Sequence, residues 1–259
     1  MHQSENFSTK AILLKKFEYG EADTIFVFYS EDRGKIKAFA RSARKSTKRF
    51  GSSLDLYSFV RAHFSQSKRE GSLYNLNSTS NILIFENIRK SVMKIAQASF
   101  MLELFYEMTA ENVTNINLFH FLCAFLDDLN GSAMKINLFS FYSLKFLRLV
   151  GLGPNFSECS VCGNKPDQRI WFFRFDKGGI ACPSCLSSNG LMNYKISRET
   201  LNVLEKEGEM GLSFLKRISP SKGCQNELAY VVNRFIEYNL GKRLNSFNFL
   251  KELSDGAGF

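Results

Sequence analysis

The sequence contains no apolar run that approaches the roughly 18 residues needed to cross a membrane as a helix. Its richest apolar segments, Phe121–Leu126 and Leu138–Leu144, are far shorter. Met1–Lys10 also lacks the continuous apolar segment of a secretion signal. These absences predict a cytoplasmic protein without a membrane span.

The sequence is also poor in the motifs of catalysis. It has no G-x-x-x-x-G-K-[ST] motif and no G-x-G-x-x-G motif for binding phosphates. The three histidines, His2, His63 and His120, lie in no G-x-S-x-G or H-E-x-x-H context. The pair Asp127-Asp128 is more typical of a solvated helix end than of paired acid and base chemistry. We therefore predict that the protein is not an enzyme.

Acidic residues are fewer than basic ones, and the imbalance is local. The 259 residues include 34 Lys or Arg and 25 Asp or Glu, a formal net charge of +9. Residues 1–80 alone hold 14 Lys or Arg against 8 Asp or Glu, and so contribute +6 of this charge. An excess of positive charge favours an anionic partner, either nucleic acid or an acidic membrane surface.

Residues 1–80 have the pattern of a small β-barrel. Turn signals rich in glycine separate short runs of β-branched and aromatic residues. The five predicted strands are Ala11–Phe17, Thr24–Tyr29, Lys35–Arg41, Leu54–Phe64 and Ser72–Leu76. Five short strands suit the oligonucleotide-binding (OB) fold, and an SH3-like barrel fits nearly as well. The fold class predicted is α+β, with an OB-type barrel at residues 1–80.

From about Ile88 onwards the apolar period becomes helical. Leu118–Leu129 and Leu138–Val150 are apolar on most sides and predict the central helices of a bundle. Ser197 predicts the start of another helix, and Asn226–Tyr238 predicts a last one. A first helical stripe recurs at steps of four and three residues: Ile88, Val92, Ile95, Ser99, Leu102 and Tyr106. Residues 81–259 are thus predicted to form a helical domain.

Four of the six cysteines have the spacing of a metal site. Cys159 and Cys162 form one C-x2-C pair, and Cys182 and Cys185 form a second pair after a spacer of 19 residues. Four thiolates in two such pairs can complete the tetrahedral shell of zinc. Unligated thiols or two disulfides are the alternatives. We predict a zinc module at about residues 156–190, with a hairpin strand, Ile170–Phe175, between the two pairs.

Zinc with four cysteine ligands has no open position for water or substrate, so the predicted role of the ion is structural. A zinc-containing enzyme that processes nucleic acid is the alternative. The deaminases of that class need a His-x-Glu before the second cysteine pair, and residues 159–181 contain no histidine.

Residues 33–49 form a basic segment with no acid. Its eight cations are Arg33, Lys35, Lys37, Arg41, Arg44, Lys45, Lys48 and Arg49. Because the segment spans a predicted strand and the following loop, a barrel would display it on one side. Phe39, Phe50 and Tyr57 are near enough to offer stacking surfaces. A solvated loop is the alternative, but cations combined with aromatic rings predict binding to nucleic-acid strands without sequence readout.

Several short motifs are informative as an ordered set. They are Ala11-Ile12-Leu13-Leu14, Tyr19-Gly20-Glu21-Ala22-Asp23, Tyr29–Gly34 followed by Lys35, Ala40-Arg41-Ser42-Ala43-Arg44, Phe146–Asn155, and the Cys159 and Cys162 pair ending in Gly163. Over residues 9–250, this order resembles the RecO family of bacterial DNA repair proteins.

The resemblance implies an OB barrel, a helical domain and a four-cysteine zinc module. It implies binding to single- and double-stranded DNA, annealing of complementary strands, and action with RecR to help RecA replace single-strand-binding protein. It also implies recognition of the acidic, apolar-ended tail of single-strand-binding protein, and the phenylalanine-rich helices are the expected place for that pocket. The implied location is the cytoplasm, in association with the nucleoid.

The leading hypothesis is therefore a DNA-binding recombination mediator, in which the cations of residues 33–49 form the DNA face. Charge reversal at Lys35, Lys37, Arg41 and Arg44 is expected to abolish binding while the fold survives. The alternatives are the zinc-containing enzyme and a sequence-specific transcription factor, although no helix-turn-helix pattern adjoins the basic segment.

Overall fold

The computed structural model describes residues 6–50, 54, 56–66, 73–165, 170–186 and 193–256. Within these ranges it describes all side chains except those of residues 47, 48, 209, 212, 213, 251 and 254–256. Two compact units result, which comprise the described residues of Met1–Ala133 with Leu244–Phe259 and those of Met134–Arg243. The predicted α+β class is confirmed.

Five strands of the first unit form the predicted OB-like barrel. They are β1 (Asn6–Tyr19), β2 (Asp23–Ser30), β3 (Gly34–Ala40), β4 (Ser58–Ser65) and β5 (Tyr74–Ile84). The order is β1-β2-β3-β5-β4, and β4 pairs with β1 to close the barrel. Closure is uneven, because β3 and β5 pair in parallel through only Ala38 with Tyr74 and Phe39 with Asn75.

Side-chain alternation builds the core of the barrel. On β3, Ile36, Ala38 and Ala40 are buried, whereas Lys37 and Phe39 between them are half-buried. Alternation of this kind is the expected signature of a strand with one face in a core. The same core also holds Phe50, which follows the basic cations in sequence. Two of the glycine-containing turn signals that separate the predicted strands, Gly51-Ser52 before Leu54–Phe64 and Glu70-Gly71 before Ser72–Leu76, lie outside the described residues.

Helices of the first unit cover part of the barrel. They are α1 (Thr47–Phe50), α2 (Glu86–Arg89), α3 (Val92–Met108), α4 (Ile116–Gly131) and α9 (Asn245–Gly256). The predicted stripe through Ile88 and Val92 is wrong in detail. Ser91 caps the start of α3, so Ile88 lies outside this helix. Val92, the first residue of α3, is 54% exposed. Helix α3 is instead buried on most sides from Ala96 to Phe105, since it contacts β1, α4 and α9.

The second unit combines helices with a small sheet. Its helices are α5 (Ile136–Leu149), α6 (Arg198–Glu209), α7 (Leu212–Leu215) and α8 (Lys222–Leu240). Its strands are β6 (Asn155–Cys159), β7 (Trp171–Arg174), β8 (Gly179–Ala181) and β9 (Asn193–Ile196), in the order β6-β8-β7-β9. The predicted cap of α6 is present, because Ser197 Oγ accepts a hydrogen bond from Thr200 N.

Helix α9 was not predicted from the sequence. Its first turn is capped by Glu103 of α3, which lies 142 positions earlier in the chain than Asn245. The carboxylate accepts hydrogen bonds from Asn245 N at 3.0 Å and from Ser246 N at 2.8 Å. Such a cap satisfies the N–H groups that a helix start leaves unpaired, but no local sequence signal reports it.

The phenylalanines of α4 and α5 belong to the two cores. Phe119, Phe121 and Phe125 on α4 are at most 7% exposed, and Phe141 and Phe146 on α5 are fully buried. They therefore line no open pocket, contrary to the expectation for the partner pocket. In the part of the chain that the structure describes, no helix is both long enough and apolar enough to span a bilayer.

The turn that starts β3 generates a stability prediction. Gly34 has φ +64°, and a Cβ atom there would lie 2.0 Å from the carbonyl oxygen of Val113. We expect Gly34→Ala to lower the free energy of unfolding by more than about 3 kcal/mol. The backbone at Val113 must move away from the new methyl group, and the alanine must also adopt a strained positive φ. Urea denaturation measures the effect.

Gly20→Ala is the matched control. Gly20 has φ +57°, but no atom lies within 4 Å of the site of its Cβ. Its cost should be about 1 kcal/mol, from the left-handed backbone conformation alone. Equal losses in the two variants would contradict the close approach of residue 113 to β3.

Candidate nucleic-acid interface and metal centre

The four predicted cysteine ligands come together in the second unit. Cys159 ends β6, and Cys162 follows in a turn. After β8, Cys182 caps a short 3-10 helix (Pro183–Cys185), and Cys185 is its last residue. The four sulfur atoms lie within 4.8 Å of one another. Cys182 Sγ is 3.9 Å from Cys159 Sγ and 3.8 Å from Cys162 Sγ.

This arrangement fits a tetrahedral metal ion. A tetrahedron with metal–sulfur bonds of about 2.3 Å has sulfur–sulfur edges of about 3.8 Å. All six cysteines lie in the described ranges, and none forms a disulfide. The cluster can therefore hold a metal ion, and the disulfide alternative does not apply.

The electrostatics of the cluster favour a cation. Burial by itself would raise the pKa of Cys159, but hydrogen bonds from the backbone N–H groups of Cys162, Cys182 and Val161 lower this pKa to about 6. Hydrogen bonding to the Cys182 and Cys162 thiols raises the pKa of Cys185 to about 12. Neighbouring thiolates repel one another, so a divalent ion would stabilise all of them together.

A small hairpin holds the two cysteine pairs in place. Strand β7 pairs antiparallel with β8, as the sequence predicts, and β8 pairs with β6. Trp171 is 1% exposed, so it packs in the interior. Cys182 N lies 3.4 Å from Cys159 Sγ and links the two halves of the site.

Three cations of the basic segment are exposed where β3 ends. Arg41, Arg44 and Lys45 are exposed side chains. Arg44 reaches the turn between β1 and β2, where its Nη2 donates to Gly20 O at 2.5 Å and its Nη1 lies 3.0 Å from Glu18 Oε2. This position puts the three cations beside the end of the β1–β2 hairpin.

Two other predicted cations are engaged by the end of α3 and by the segment that joins α3 to α4. Lys35 is 6% exposed, and its Nζ donates to Tyr106 O at 2.5 Å. Burial lowers the pKa of Lys35, against the opposing effect of Glu111. Lys37 Nζ lies 2.6 Å from Glu111 Oε1, and this hydrogen bond raises the pKa of Lys37. Charge reversal at Lys35 would therefore disturb the fold, which corrects the sequence expectation.

The remaining cations of the segment are partly engaged. The Arg33 guanidinium lies 3.9 Å from the centroid of the Phe7 ring. Arg49 Nε donates to Ser46 Oγ at 3.0 Å, and Arg49 Nη2 donates to Arg41 O. Residues 43–50, expected as a loop, form a 3-10 turn and α1 instead. The side chain of Lys48 lies outside the described part of the chain.

Of the three rings predicted to offer stacking surfaces, two are buried and one is half-buried. Phe50 and Tyr57 are 3% and 6% exposed, so neither offers a ring to a ligand. Phe39 is half-buried on the outer face of β3, and its ring centroid is 5.9 Å from that of Tyr19. Tyr19 is 59% exposed.

Sequence reasoning missed Tyr19 and its neighbour Phe17, which is 37% exposed. Cross-strand register brings Phe17 opposite Ile25, and Ile25 opposite Phe39. The signal was available, because Phe17 ends the predicted strand Ala11–Phe17 and Tyr19 follows two residues later, next to Gly20. We call the set Tyr19, Phe39, Arg41, Arg44 and Lys45 the barrel face.

Comparisons with known proteins agree over nearly the whole chain. A family described as "Recombination protein O N terminal" matches residues 1–85, and one described as "Recombination protein O C terminal" matches residues 89–247. A "DNA repair protein RecO" of Desulfatibacillum aliphaticivorans is 31% identical over 255 residues, 95% of this chain and 96% of the relative. Another, of Syntrophus aciditrophicus, is 31% identical over 256 residues and covers 98% of both chains.

The cysteine cluster predicts one bound metal ion for each chain. Because Cys182 contacts two other sulfur atoms, Cys182→Ser should reduce the metal content to none when it is measured by elemental mass spectrometry. Cys123→Ser is the control, since Cys123 lies outside the cluster and should leave the content at one. Metal that persists in Cys182→Ser would contradict a four-sulfur site.

Proposed function

The chain belongs to the RecO family, which acts in DNA repair and recombination, and from this membership we propose that it is a non-enzymatic recombination mediator. In this proposal it binds single- and double-stranded DNA and anneals complementary single strands. It works with RecR to help RecA load on DNA that single-strand-binding protein covers. Its place of action is the nucleoid in the cytoplasm.

The observation that carries the proposal is the barrel face. Arg41, Arg44 and Lys45 supply exposed positive charge next to the exposed ring of Tyr19. OB folds bind oligonucleotides on the face of their second and third strands, and β3 carries Phe39 there. Cations that neutralise phosphates, next to rings on which bases stack, bind a single strand without reading its sequence.

Annealing follows from charge neutralisation. Two complementary strands repel each other through their phosphates, and the barrel cations lower this repulsion while the base edges stay available for pairing. The ion pair of Arg44 with Glu18 is exposed, so it is worth little and can be exchanged for a phosphate contact. Lys35 and Lys37 are not assigned to phosphate binding, because Lys35 is bonded to Tyr106 O and Lys37 is paired with Glu111.

We propose that the ion of the cysteine cluster is zinc, because four thiolates at these separations suit its tetrahedral shell. All four protein ligands would be used, so the ion would stabilise the hairpin of β7 and β8 without taking part in a reaction. The barrel face lies in the other compact unit. DNA binding by the barrel is therefore expected to be separable from metal binding.

An open cavity of about 760 Å³ in the second unit is the proposed pocket for the acidic tail of single-strand-binding protein. Lys165 and Lys206 on its wall can contact the carboxylates of the tail, whereas the apolar lining residues Pro154 and Leu204 are buried. Arg148 also lines it and is held by Glu207 Oε2 at 3.0 Å. This cavity replaces the phenylalanine-rich helices as the proposed tail pocket.

Charge reversal on the barrel face tests DNA binding. Arg41→Glu with Lys45→Glu should weaken binding to oligothymidylate by at least about tenfold, because two phosphate contacts are lost. The slope of log affinity against log salt should shrink by about 1.4, since each contact to single strands contributes about 0.7. Arg61→Glu with Lys90→Glu reverses two exposed cations elsewhere in the first unit and is the control. Equal losses of affinity in the two double variants would show that the loss depends on net charge alone and would contradict a binding site at the barrel face.

Annealing of DNA coated by single-strand-binding protein tests the mediator role. The barrel-face variant should fail on both bare and coated strands. Lys206→Glu should fail only on coated strands, because the proposed tail pocket loses a cation. Lys222→Glu, which reverses an exposed charge away from the cavity, should anneal both normally. If the intact protein cannot anneal bare strands, the proposed function is wrong.

A further inference from the structure

Helix α8 carries an exposed row of aromatic and basic side chains that the proposed function does not use. Tyr230, Arg234 and Tyr238 are all exposed and lie four residues apart. On an α-helix this spacing puts the side chains on one face, with a rise of about 6 Å from each to the next. The helix buries Val231, Val232, Phe235 and Ile236 on its other side.

Positive charge gathers where this row ends. A shallow cavity of about 430 Å³ is lined by Arg234, Tyr238, Lys242 and Arg243, together with Phe175, Glu237 and Gly241. Glu237 holds two guanidinium groups in place, because its Oε2 lies 2.7 Å from Arg234 Nη1 and its Oε1 lies 2.7 Å from Arg243 Nε. One carboxylate among three cations leaves the cavity positive.

The ring at the start of the row is held in position. Tyr194 on the edge strand β9 packs against Tyr230, with ring centroids 4.2 Å apart and planes tilted by 30°. Tyr230 is nevertheless 44% exposed, as is Tyr238. A supported ring with an open face loses little conformational freedom when a base stacks on it.

We propose that Tyr230, Arg234, Tyr238, Lys242 and Arg243, named here the α8 surface, form a second binding site for single-stranded DNA. The rings stack on bases, and the cations contact phosphates. This inference deepens the proposed function and depends on it, because annealing requires that two strands be held at once. One strand occupies the barrel face and the complementary strand occupies the α8 surface.

The composition of the surface favours nucleic acid over a protein partner. Tyrosine and arginine are common in protein interfaces too, but the core of such an interface is depleted of charge. Here three cations of the cavity outnumber the carboxylate of Glu237, and no aliphatic side chain interrupts the row from Tyr230 to Tyr238. A second carboxylate, that of Glu227, lies one turn before Tyr230 and accepts hydrogen bonds from Ser197 and Thr200. Stacking rings set among cations are the arrangement used for single strands.

The number of strands bound by each chain tests the proposal. We expect native mass spectrometry of the full chain with a short oligothymidylate at low salt to show two strands for each chain. Arg234→Ser with Tyr238→Ser should reduce the number to one and slow annealing by about tenfold or more. Arg234→Lys with Tyr238→Phe keeps a charge and a ring and should retain two strands. Lys222→Ser on the same helix is a control for loss of charge alone.

Photochemical crosslinking separates this proposal from the barrel face. In the Arg41→Glu, Lys45→Glu background, irradiation with oligothymidylate should still label the peptide that contains Tyr230 or Tyr238. Labels confined to the barrel, or two bound strands in Arg234→Ser with Tyr238→Ser, would overturn the second site and leave the barrel proposal standing. If Arg234→Ser with Tyr238→Ser loses RecR binding but keeps normal DNA binding and annealing, the α8 surface is a protein-binding surface and the second DNA site is wrong.

Discussion

The approach of residues 111–113 to the start of β3 is the contact on which the exposure of the barrel face depends. Asn112 N donates to Lys35 O at 2.9 Å, and Gly34 is the residue that leaves room for the carbonyl of Val113. This contact buries Lys35 and brings Glu111 to Lys37. Because the first half of β3 is covered in this way, only its far end can meet a ligand.

Coverage of the barrel by helix α3 has the same effect on the neighbouring strands. Tyr29 of β2 packs edge-on against Phe105, with ring centroids 5.0 Å apart, and Lys15 of β1 lies 4.4 Å from the ring centroid of Tyr106. The rings of Phe17 and Tyr19 are exposed and that of Phe39 is half-buried beyond this covered region. Their position beside Arg44 makes the end of the β1–β2 hairpin the centre of the barrel face.

The cysteine cluster and the two proposed strand-binding surfaces differ in how far they are open to solvent. The cysteine cluster is closed, since its four sulfur atoms are mutual neighbours and two of the cysteines are buried. The barrel face and the α8 surface are open. Arg44 pairs with the exposed Glu18, whereas Arg234 and Arg243 share the carboxylate of Glu237. A closed site suits a structural ion that stays in place, whereas open sites suit strands that must bind, pair and leave.

The sequence by itself determined the five strands, the central helices, the cap at Ser197 and the four cysteines, because each depends on residues close together in the chain. It predicted a basic segment but could not separate buried Lys35 from exposed Arg41, nor buried Phe50 from exposed Tyr19. Helix α9, capped by distant Glu103, was also beyond it. Only the tertiary structure decided these points, because exposure and capping depend on segments that are remote in sequence and meet after folding.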